Sequence, residues 1–392
     1  MMALVRTQVG IVGAGPAGLT LAHLLHREGI ESVILEDRSR EYVEHRVRAG
    51  LLEQGTVDLL ESMGVADRLH EEALQHHGIY LQFDGRREYI AAREITGRSI
   101  WIYGQQEIVK DLIAARLEYD GPLLFEVDDV AVHDFDSQRP YVEFTHGGER
   151  QRLDCDVIAG CDGFHGVCRP AIPDGVLTFH EREYPFAWLG ILAEVAPSTD
   201  ELIYAHHPNG FALHSMRSPA ISRLYLQVPP DEDIDNWSDE RIWDELQTRF
   251  ALEGWTLEQG PVIEKGITPM RSFVCEPMQC GRLYLAGDAA HIVPPTGAKG
   301  LNLAAQDVRV LAAALVDWYR TGSAAKLDAY SETALRRVWR VQDFSNYMTT
   351  LLHRLGQDPF DDRLQQARLE YVRRSDAAAH SLAENYVGLA DY

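Results

Sequence analysis

A glycine-rich segment near the start of the chain, IVGAGPAGL at residues 11–19, restricts the fold more than any other feature. Gly13, Gly15 and Gly18 fit the pattern G-x-G-x-x-G. In this pattern the first glycine permits a tight turn, the second lets the backbone approach a pyrophosphate, and the third lets a helix pack closely on a strand. The segment therefore predicts a strand, a turn and a helix at the start of a doubly wound sheet that binds a dinucleotide.

The segments that flank this motif continue the same pattern. Residues 8–13 read as a buried strand, residues 16–28 as a helix with leucines at helical spacing, and residues 31–36 as a second strand. Glu36 ends that second strand, where a carboxylate can accept hydrogen bonds from both hydroxyls of an adenosine ribose. The motif leaves open whether the dinucleotide is NAD or FAD.

A second motif, GDAAHIVPPTGAKGLNLAAQD at residues 287–307, favours FAD. Asp288 follows a buried strand and can bond the polyol chain of a riboflavin, which NAD lacks. Gly300 and Leu301 open a predicted helix whose N-terminus would direct backbone N–H groups at the flavin edge that becomes anionic on reduction. The alternative is that Asp288 only caps a helix beside a glycine loop.

The rest of the chain alternates between element types. Residues 105–120 predict a charged amphipathic helix, and a strand-rich stretch follows. The alternating pattern between about 180 and 270 predicts an antiparallel sheet with one wet or ligand-facing side. Residues 281–288 return to buried-strand character, and the chain from about 300 is largely helical.

These patterns predict an α/β fold, α+β overall, in three parts. An FAD-binding doubly wound βαβ domain is expected over residues 1–178. A mostly antiparallel β-sheet domain for the substrate is expected over residues 179–286. A flavin-contacting loop and a helical C-terminal region are expected over residues 287–392.

Composition narrows the class of partners. The net charge of −23 argues against binding to nucleic acid. No apolar run approaches the roughly 20 residues that span a bilayer, so we expect a cytoplasmic protein without a membrane segment. The five cysteines have no metal-ligand spacing, so neither a metal site nor a disulfide is expected.

Three short motifs carry a resemblance to a known family. GAGPAG, CDG at residues 161–163 and GDAAH occur in the order and spacing of the class A flavoprotein aromatic hydroxylases. The chain is similar over essentially its whole length to the 4-hydroxybenzoate 3-hydroxylases within that class, through the following segments: RVRAGLLEQGTVDLL (46–60), AGCDGFHG (159–166), HIVPPTGAKGLNLAA (291–305) and AENYVGL (383–389).

The resemblance implies a reaction and a set of cofactors. It implies tightly but non-covalently bound FAD, with NADH or NADPH as a transient reductant and O2 as a second substrate. In the family, a flavin C4a-hydroperoxide transfers its distal oxygen to the carbon next to the phenol. The product from 4-hydroxybenzoate would be 3,4-dihydroxybenzoate, and the enzyme would be a homodimer.

The resemblance also implies which residues hold the substrate. Arg217 would grip the carboxylate through two parallel bonds, and Ser215 and Tyr225 match the other carboxylate contacts. Ser215 and Arg217 are two residues apart, so both point to one face of a strand. Without the resemblance, an Arg and a Ser on a solvated sheet face would be the simpler interpretation.

A proton relay for the phenol is implied in the same way. Tyr204 resembles the residue that bonds the phenolic oxygen, Tyr386 would be the next link, and His76 would be the solvent end of the relay. A histidine suits that position because it titrates near neutrality. His77 is the adjacent alternative. The Pro295 carbonyl and Thr296 would lie beside the substrate ring, and both are expected to be catalytic residues together with the relay.

Further matches concern the two nucleotides. The residues that match flavin contacts in the family are Arg46, Arg48, Gln105, Asp162, Arg223 and Asn302. His165 and Arg271 match residues that meet the pyrophosphate of the nicotinamide nucleotide. Asp37 stands where relatives that require NADPH tend to carry an arginine, and a carboxylate there would repel a 2′-phosphate. Arg38 and Tyr42 could compensate, so NADH is expected to be preferred or both coenzymes used.

Three alternatives stay open at this point. The first is an enzyme of the same class that acts on another phenolic acid. The second is an FAD reductase or dehydrogenase that inserts no oxygen, and the third is a non-catalytic flavin-binding protein. The intact carboxylate clamp argues against the first, and under the second the set of Tyr204, Tyr386 and His76 would be a coincidence. The complete substrate constellation, with no visible partner domain, argues against the third.

Overall fold

The computed structural model describes residues 6–46, 50–356 and 358–388. The strands within these ranges are β1 Val9–Val12, β2 Ser32–Leu35, β3 Leu51–Glu53, β4 Leu74–His76, β5 Ile79–Phe83, β6 Arg86–Ile90, β7 Ile100–Ile102, β8 Leu123–Leu124, β9 Asp128–His133, β10 Tyr141–His146, β11 Glu149–Asp154, β12 Val157–Gly160, β13 Thr178–Ala193, β14 Leu202–Ala205, β15 Ala212–Ser218, β16 Ile221–Val228, β17 Val262–Glu276, β18 Gln279–Cys280, β19 Leu283–Leu285 and β20 His291–Ile292. The helices are α1 Pro16–Arg27, α2 Arg40–His45, α3 Gln54–Met63, α4 Asp67–Glu72, α5 Ala92–Thr96, α6 Gln105–Glu118, α7 Asp239–Arg249, α8 Gly300–Thr321, α9 Ala325–Asp328, α10 Tyr330–Leu352, α11 Pro359–Arg374 and α12 Asp376–Val387.

The first sheet is mostly parallel and has the strand order β18-β19-β12-β1-β2-β8. β1 pairs in parallel with β2 on one side and with β12 on the other, and its four residues are all buried. Such burial on both faces is typical of strands covered by crossover helices. The predicted strand, glycine turn, helix and second strand are confirmed, as is the predicted α/β class.

The second sheet has eight strands in the order β20-β17-β13-β16-β15-β14-β5-β6, and all its pairs are antiparallel except β14 with β5. Along β16, buried and partly buried residues alternate strictly. One face packs on α7 through an apolar cluster that includes Leu224, Leu226 and Trp243. The other face carries Arg223 and Tyr225, which line a cavity. The predicted antiparallel sheet is confirmed, and its wet or ligand-facing side stays a prediction.

The two sheets draw strands from across the predicted domain limits. β5 and β6, from the first predicted segment, pair into the eight-stranded sheet, whereas β18 and β19, from the second, lie in the parallel sheet. The limits at residues 178 and 286 stay a prediction. Helices occupy most of the described chain after residue 300, as expected, and none of those described combines the length and apolar character needed to cross a bilayer.

Candidate active site

The glycine motif forms a turn that only glycine fits at its first position. Gly13 has a φ of +102°, and a Cβ on it would lie 2.3 Å from the carbonyl oxygen of Cys161. A Cβ on Gly18, inside α1, would lie 2.0 Å from the Gly13 carbonyl oxygen. Gly15 differs, because within the described ranges no atom beyond its two chain neighbours lies within 4 Å of the position of its Cβ. The backbone there is open, as the approach of a pyrophosphate to the N-terminus of α1 requires.

Glu36 lies at the carboxyl end of β2, beside this turn. Its carboxylate accepts hydrogen bonds from the backbone N–H groups of Ala14 at 2.6 Å and of Arg38 at 3.0 Å. Burial, followed by the neighbouring Asp37 carboxylate, which can accept a hydrogen bond from protonated Glu36, raises the pKa of Glu36 to about 7. A carboxylate has lone pairs beyond these two bonds, and further hydroxyl donors would stabilise its charged form.

A buried ion pair between Asp307 and His291 fixes the turn that carries Asp288. Asp307 on α8 accepts a bond from the Gly287 N–H at 2.9 Å and another from His291 Nε2 at 2.6 Å. Burial lowers the pKa of His291, but the Asp307 carboxylate outweighs it and the pKa is raised. Asp288 itself is exposed just after β19, where it can meet a ligand. No sequence motif singled out Asp307 or His291.

The N-terminus of α8 is also open. No side chain caps it, and nothing lies within 4 Å of a Cβ position on Gly300. The Asn302 amide is fully used inside the protein: its oxygen accepts from the Glu53 N–H and the Thr56 hydroxyl, and its nitrogen donates to the carbonyls of Leu51 and Ala298. Contacts from this turn to a flavin would therefore come from backbone N–H groups, including that of Leu301.

The open Gly15 turn, the buried Glu36, the exposed Asp288 and the uncapped α8 together fit a bound FAD. Other predicted flavin residues lie in varied settings. Gln105 is the first residue of α6, and Arg46 is exposed with its guanidinium 5.8 Å from the Tyr42 ring. Asp162 turns inward and accepts a bond from the Cys168 N–H at 2.8 Å. Arg48 lies outside the described residues.

A cavity lies over the inner face of the eight-stranded sheet. The polar side chains that line it are those of Tyr204, Ser215, Arg217, Arg223 and Tyr225. Ser215 pairs with Arg223 across β15 and β16, and the Ser215 hydroxyl donates to the Arg223 carbonyl at 3.0 Å. The structure thus brings all the predicted carboxylate contacts to one cavity.

The electrostatics of this cavity suit an anion. Burial, followed by the neighbouring Arg223, lowers the pKa of the Arg217 guanidinium, which still stays a cation near neutrality. Arg217 donates to the Gln106 side-chain oxygen, and the Arg223 Nη1 atom is buried without a hydrogen-bond partner among the described residues. None of the described residues that line the cavity is Asp or Glu. Two guanidinium groups without a carboxylate among these lining residues favour an anionic ligand.

Two buried tyrosines contact each other beside this cavity, and Tyr204 is the one that lines it. The Tyr204 hydroxyl lies 2.7 Å from that of Tyr386 on α12, and both side chains are almost completely buried. Burial raises the pKa of both phenols, so each is a neutral donor and acceptor near neutrality. The buried Lys299 ties α12 to the loop before α8, because its ammonium bonds the Tyr386 carbonyl at 2.8 Å and the Glu53 carboxylate at 2.6 Å.

The position of His76 differs from the expectation that it forms the solvent end of the relay. His76 is 1% exposed, and its Nδ1 atom lies 2.8 Å from the Glu201 carboxylate. Its Nε2 atom is buried without a partner among the described residues. The alternative, His77, is half-buried and lies 3.2 Å from the Arg93 guanidinium. Sequence reasoning missed Glu201, for which the chain offers no motif.

Two predicted residues beside the substrate ring behave differently. Pro295 lines the cavity, and its carbonyl accepts a bond from the Ala298 N–H at 2.8 Å. Thr296 is fully buried, and its hydroxyl accepts from Thr349 at 3.0 Å, so its side chain serves the packing of α10.

The residues predicted for the nicotinamide nucleotide fall into two groups. His165 and Arg271 both contact Phe164: the His165 ring centroid lies 5.0 Å from that of Phe164, and the Arg271 guanidinium lies 3.8 Å from its centroid. The other predicted residues, Asp37, Arg38 and Tyr42, lie exposed in and before α2. Asp37 is 66% exposed and its carboxylate lies 3.6 Å from Arg38 Nε.

Comparison with known sequences supports a bound FAD and similarity to aromatic hydroxylases. Residues 6–345 match the family described as FAD binding domain. The chain is 50% identical over 391 residues to the p-hydroxybenzoate hydroxylase of Acinetobacter baylyi, and the match covers 99% of this chain and 96% of that protein. It is 28% identical over 314 residues to a 3-(3-hydroxy-phenyl)propionate/3-hydroxycinnamic acid hydroxylase of Mycolicibacterium gilvum, covering 76% of this chain and 52% of that protein.

Solved structures share the fold at lower identity. The p-nitrophenol 4-monooxygenase of Pseudomonas putida superposes with a TM-score of 0.83 at 20% identity, covering 98% of this chain and all of that one. Aklavinone-11 hydroxylase, solved with FAD and aklavinone, superposes with a TM-score of 0.73 at 21% identity, covering 88% of this chain and 69% of that one. At this identity the two likenesses support the fold alone.

Proposed function

The chain belongs to the p-hydroxybenzoate hydroxylase family of FAD-binding proteins, and on this premise we propose that it converts 4-hydroxybenzoate to 3,4-dihydroxybenzoate. The observation that carries the proposal is a cavity that combines two arginines with a buried tyrosine pair. One group of residues suits a carboxylate and the other suits a phenol, and 4-hydroxybenzoate has both.

The residues of this chain bind, orient and deprotonate the substrate. Arg217 holds the carboxylate, with Ser215 and Tyr225 beside it, so that the phenol meets the Tyr204 hydroxyl. The Tyr204 hydroxyl accepts the phenolic proton as it gives its own proton to Tyr386, and Tyr386 passes its own proton on to His76, which leaves an electron-rich phenolate ring. When bound, FAD supplies oxygen activation after reduction by NADH or NADPH.

We place the transient nicotinamide nucleotide at two groups of residues. His165 and Arg271, which both pack against Phe164, contact its pyrophosphate. Asp37 disfavours the additional phosphate of NADPH, since its carboxylate is exposed at the start of the α2 segment. NADH is therefore the preferred reductant, or both coenzymes are used.

A steady-state assay of the purified FAD-loaded protein tests the proposal. Oxidation of NADH and of NADPH is followed separately, with and without 4-hydroxybenzoate, and the product is identified by chromatography. We expect the substrate to stimulate oxidation sharply and 3,4-dihydroxybenzoate to form in proportion to the coenzyme consumed. Consumption without a hydroxylated product would point to a reductase instead, and stimulation by another phenolic acid alone would reassign the substrate.

We further propose that the protein forms a homodimer. Phe360, Leu364 and Tyr371 on α11 are exposed at 68%, 38% and 63%, and their spacing puts them on one side of the helix. Light scattering after size-exclusion chromatography should give twice the chain mass, and Phe360→Glu should lower it. A monomeric wild-type protein would refute this proposal. Location in the cytoplasm stays a prediction.

A further inference from the structure

Glu201 makes three hydrogen bonds next to the proposed relay. It lies immediately before β14, the strand that carries Tyr204, and its side chain is 13% exposed. One carboxylate oxygen lies 2.8 Å from His76 Nδ1. The other accepts bonds from the His77 N–H at 3.0 Å and from the Tyr89 hydroxyl at 3.2 Å. So many ordered donors fix the orientation of this carboxylate.

This contact determines the tautomer of His76. An ionised carboxylate can only accept hydrogen bonds, so the proton of the imidazole must be on Nδ1. The Nε2 atom is then left as the acceptor, and it is the atom that is buried without a partner. A neutral histidine in this tautomer can accept a proton at Nε2 and give one up at Nδ1, where Glu201 is already bonded.

We propose that Glu201 holds His76 in the tautomer with a free Nε2 and receives its Nδ1 proton, so that protons leave the buried tyrosines through Glu201. This inference rests on the proposed function, in which Tyr386 delivers a proton to His76. Glu201 is a positioning residue and the proton exit, and it does not touch the substrate.

The proton count balances along this route. The phenol of the substrate gives one proton to the relay, and His76 gains one at Nε2 as it loses one from Nδ1. Glu201 takes that proton and releases it to solvent. The Glu201 carboxylate suits the last step because its side chain is 13% exposed, whereas that of His76 is 1% exposed. Glu201 also contacts Tyr89, which is 43% exposed. The net result is one phenolate in the cavity, one proton in solvent and His76 protonated on Nε2; the starting tautomer is restored when a proton returns along the same route.

Other titratable and charged groups lie around His76 and Glu201, but none of those described accepts the Nδ1 proton of His76 in place of Glu201. Those that face it from the neighbouring elements are His77, Tyr89, Arg93, Glu94, His214, Tyr204 and Tyr386. Burial lowers the pKa of His214 to about 4, so it is neutral near neutrality. Burial, followed by Glu201, raises the pKa of Tyr89, so that phenol stays protonated. Glu201 is therefore the acceptor at hydrogen-bond distance from His76 Nδ1.

The experiment follows proton release on substrate binding, without turnover. The FAD-loaded enzyme is mixed with 4-hydroxybenzoate in the absence of reductant, in a stopped-flow instrument with a pH-indicator dye. Absorbance of the bound phenolate is recorded in parallel across pH. For Glu201→Gln, we expect release and phenolate formation near neutral pH to slow about 100-fold, because the amide oxygen can hold His76 but cannot take its proton. Substrate affinity at low pH should change less than about twofold.

Three further variants distinguish a relay role from a structural one. Glu201→Asp keeps the carboxylate and should restore much of the rate, and it also serves if Glu201→Gln does not fold. Glu201→Gln in a His76→Gln background should cause no further loss, because the two residues act in series. Glu94→Gln removes an exposed charge from the same neighbourhood and should behave as wild type.

Two outcomes separate this inference from the proposed function. If Glu201→Gln, with normal FAD content and thermal stability, releases protons at the wild-type rate and with the wild-type pH profile, Glu201 is not the exit. If the wild-type enzyme itself binds 4-hydroxybenzoate without forming phenolate, the proposed relay is wrong and this inference is lost with it.

Discussion

The nucleotide end and the substrate end of this molecule are constructed in different ways. The nucleotide end, formed by the Gly13–Gly18 turn, Glu36, the Asp288 turn and the start of α8, presents mainly backbone groups and open space. The substrate end, formed by the cavity with Arg217, Tyr204 and Tyr386, presents side chains from strands and a helix far apart in the chain. A site made mainly of backbone groups is recognisable in a sequence as a short motif. A site made of side chains from distant segments appears in the sequence only as isolated residues.

The largest effect in this comparison is expected from Gly13→Ala at the nucleotide end. The new Cβ would lie 2.3 Å from a carbonyl oxygen at a φ of +102°, so we expect a loss of about 3 kcal/mol or more in the free energy of unfolding. Gly15→Ala is the matched control, because its Cβ meets nothing within 4 Å. It should leave the FAD-free protein stable but weaken FAD binding. Thermal unfolding with and without FAD measures both, and equal destabilisation of the FAD-free protein would contradict the open-backbone interpretation.

At the substrate end, Arg217→Ala should weaken 4-hydroxybenzoate binding about 100-fold, because a buried carboxylate would lose its charged partner. FAD content should not change. Titration followed by flavin fluorescence gives the dissociation constant. The affinity of Arg217→Lys for 4-hydroxybenzoate should lie between those of the wild type and Arg217→Ala, since an ammonium lacks the planar pair of donors. An unchanged affinity in Arg217→Ala would move the carboxylate site elsewhere.

An intermediate effect is expected from Glu36, through pH. Its pKa in the folded chain is about 7, above the usual 4.5, so its contribution to stability is greatest at low pH and is lost as the pH rises towards 7. The loss is on the order of 2 kcal/mol in the FAD-free protein. Urea unfolding at about pH 5 and about pH 8 measures it. Glu36→Gln should remove most of this difference in the free energy of unfolding between the two pH values, and bound FAD should reduce it. If the difference is unchanged in Glu36→Gln, another group causes it.

The smallest effect is expected from the exposed Asp37. Asp37→Arg should shift the ratio of kcat/KM for NADPH over NADH upwards by about 10-fold, because a solvent-exposed charge acts through a high dielectric. Asp37→Asn should give a smaller shift in the same direction. If neither variant changes the ratio, coenzyme choice lies with other residues of this segment.

The same difference explains how much could be predicted from the sequence. The Gly13 turn, Glu36 and Asp288 follow local rules of strand ends and helix starts, so their positions agree with expectation. The cavity residues needed a family resemblance, because Tyr204 and Tyr386 are ordinary tyrosines until the fold brings their hydroxyls to 2.7 Å.

His76 shows where an expectation from residue type differs from the structure. A histidine suits the solvent end of a relay, but the burial of His76 depends on packing between β4 and its neighbours, which no motif encodes. Glu201 and Lys299 were missed because each acts through a partner that is distant in the sequence. Asp307 and His291 lie within one motif, but nothing in that motif shows that they pair.

The contact between Tyr204 and Tyr386 has a consequence for the timing of synthesis. Tyr386 is the last of the site residues to leave the ribosome, long after the Gly13 turn and the first strands of the sheet. Because chains fold from the N-terminal side as they emerge, the nascent protein can form the flavin-facing turns and the strand that carries Tyr204 before Tyr386 is available. The tyrosine pair is therefore completed late, when α12 docks and brings Tyr386 to Tyr204.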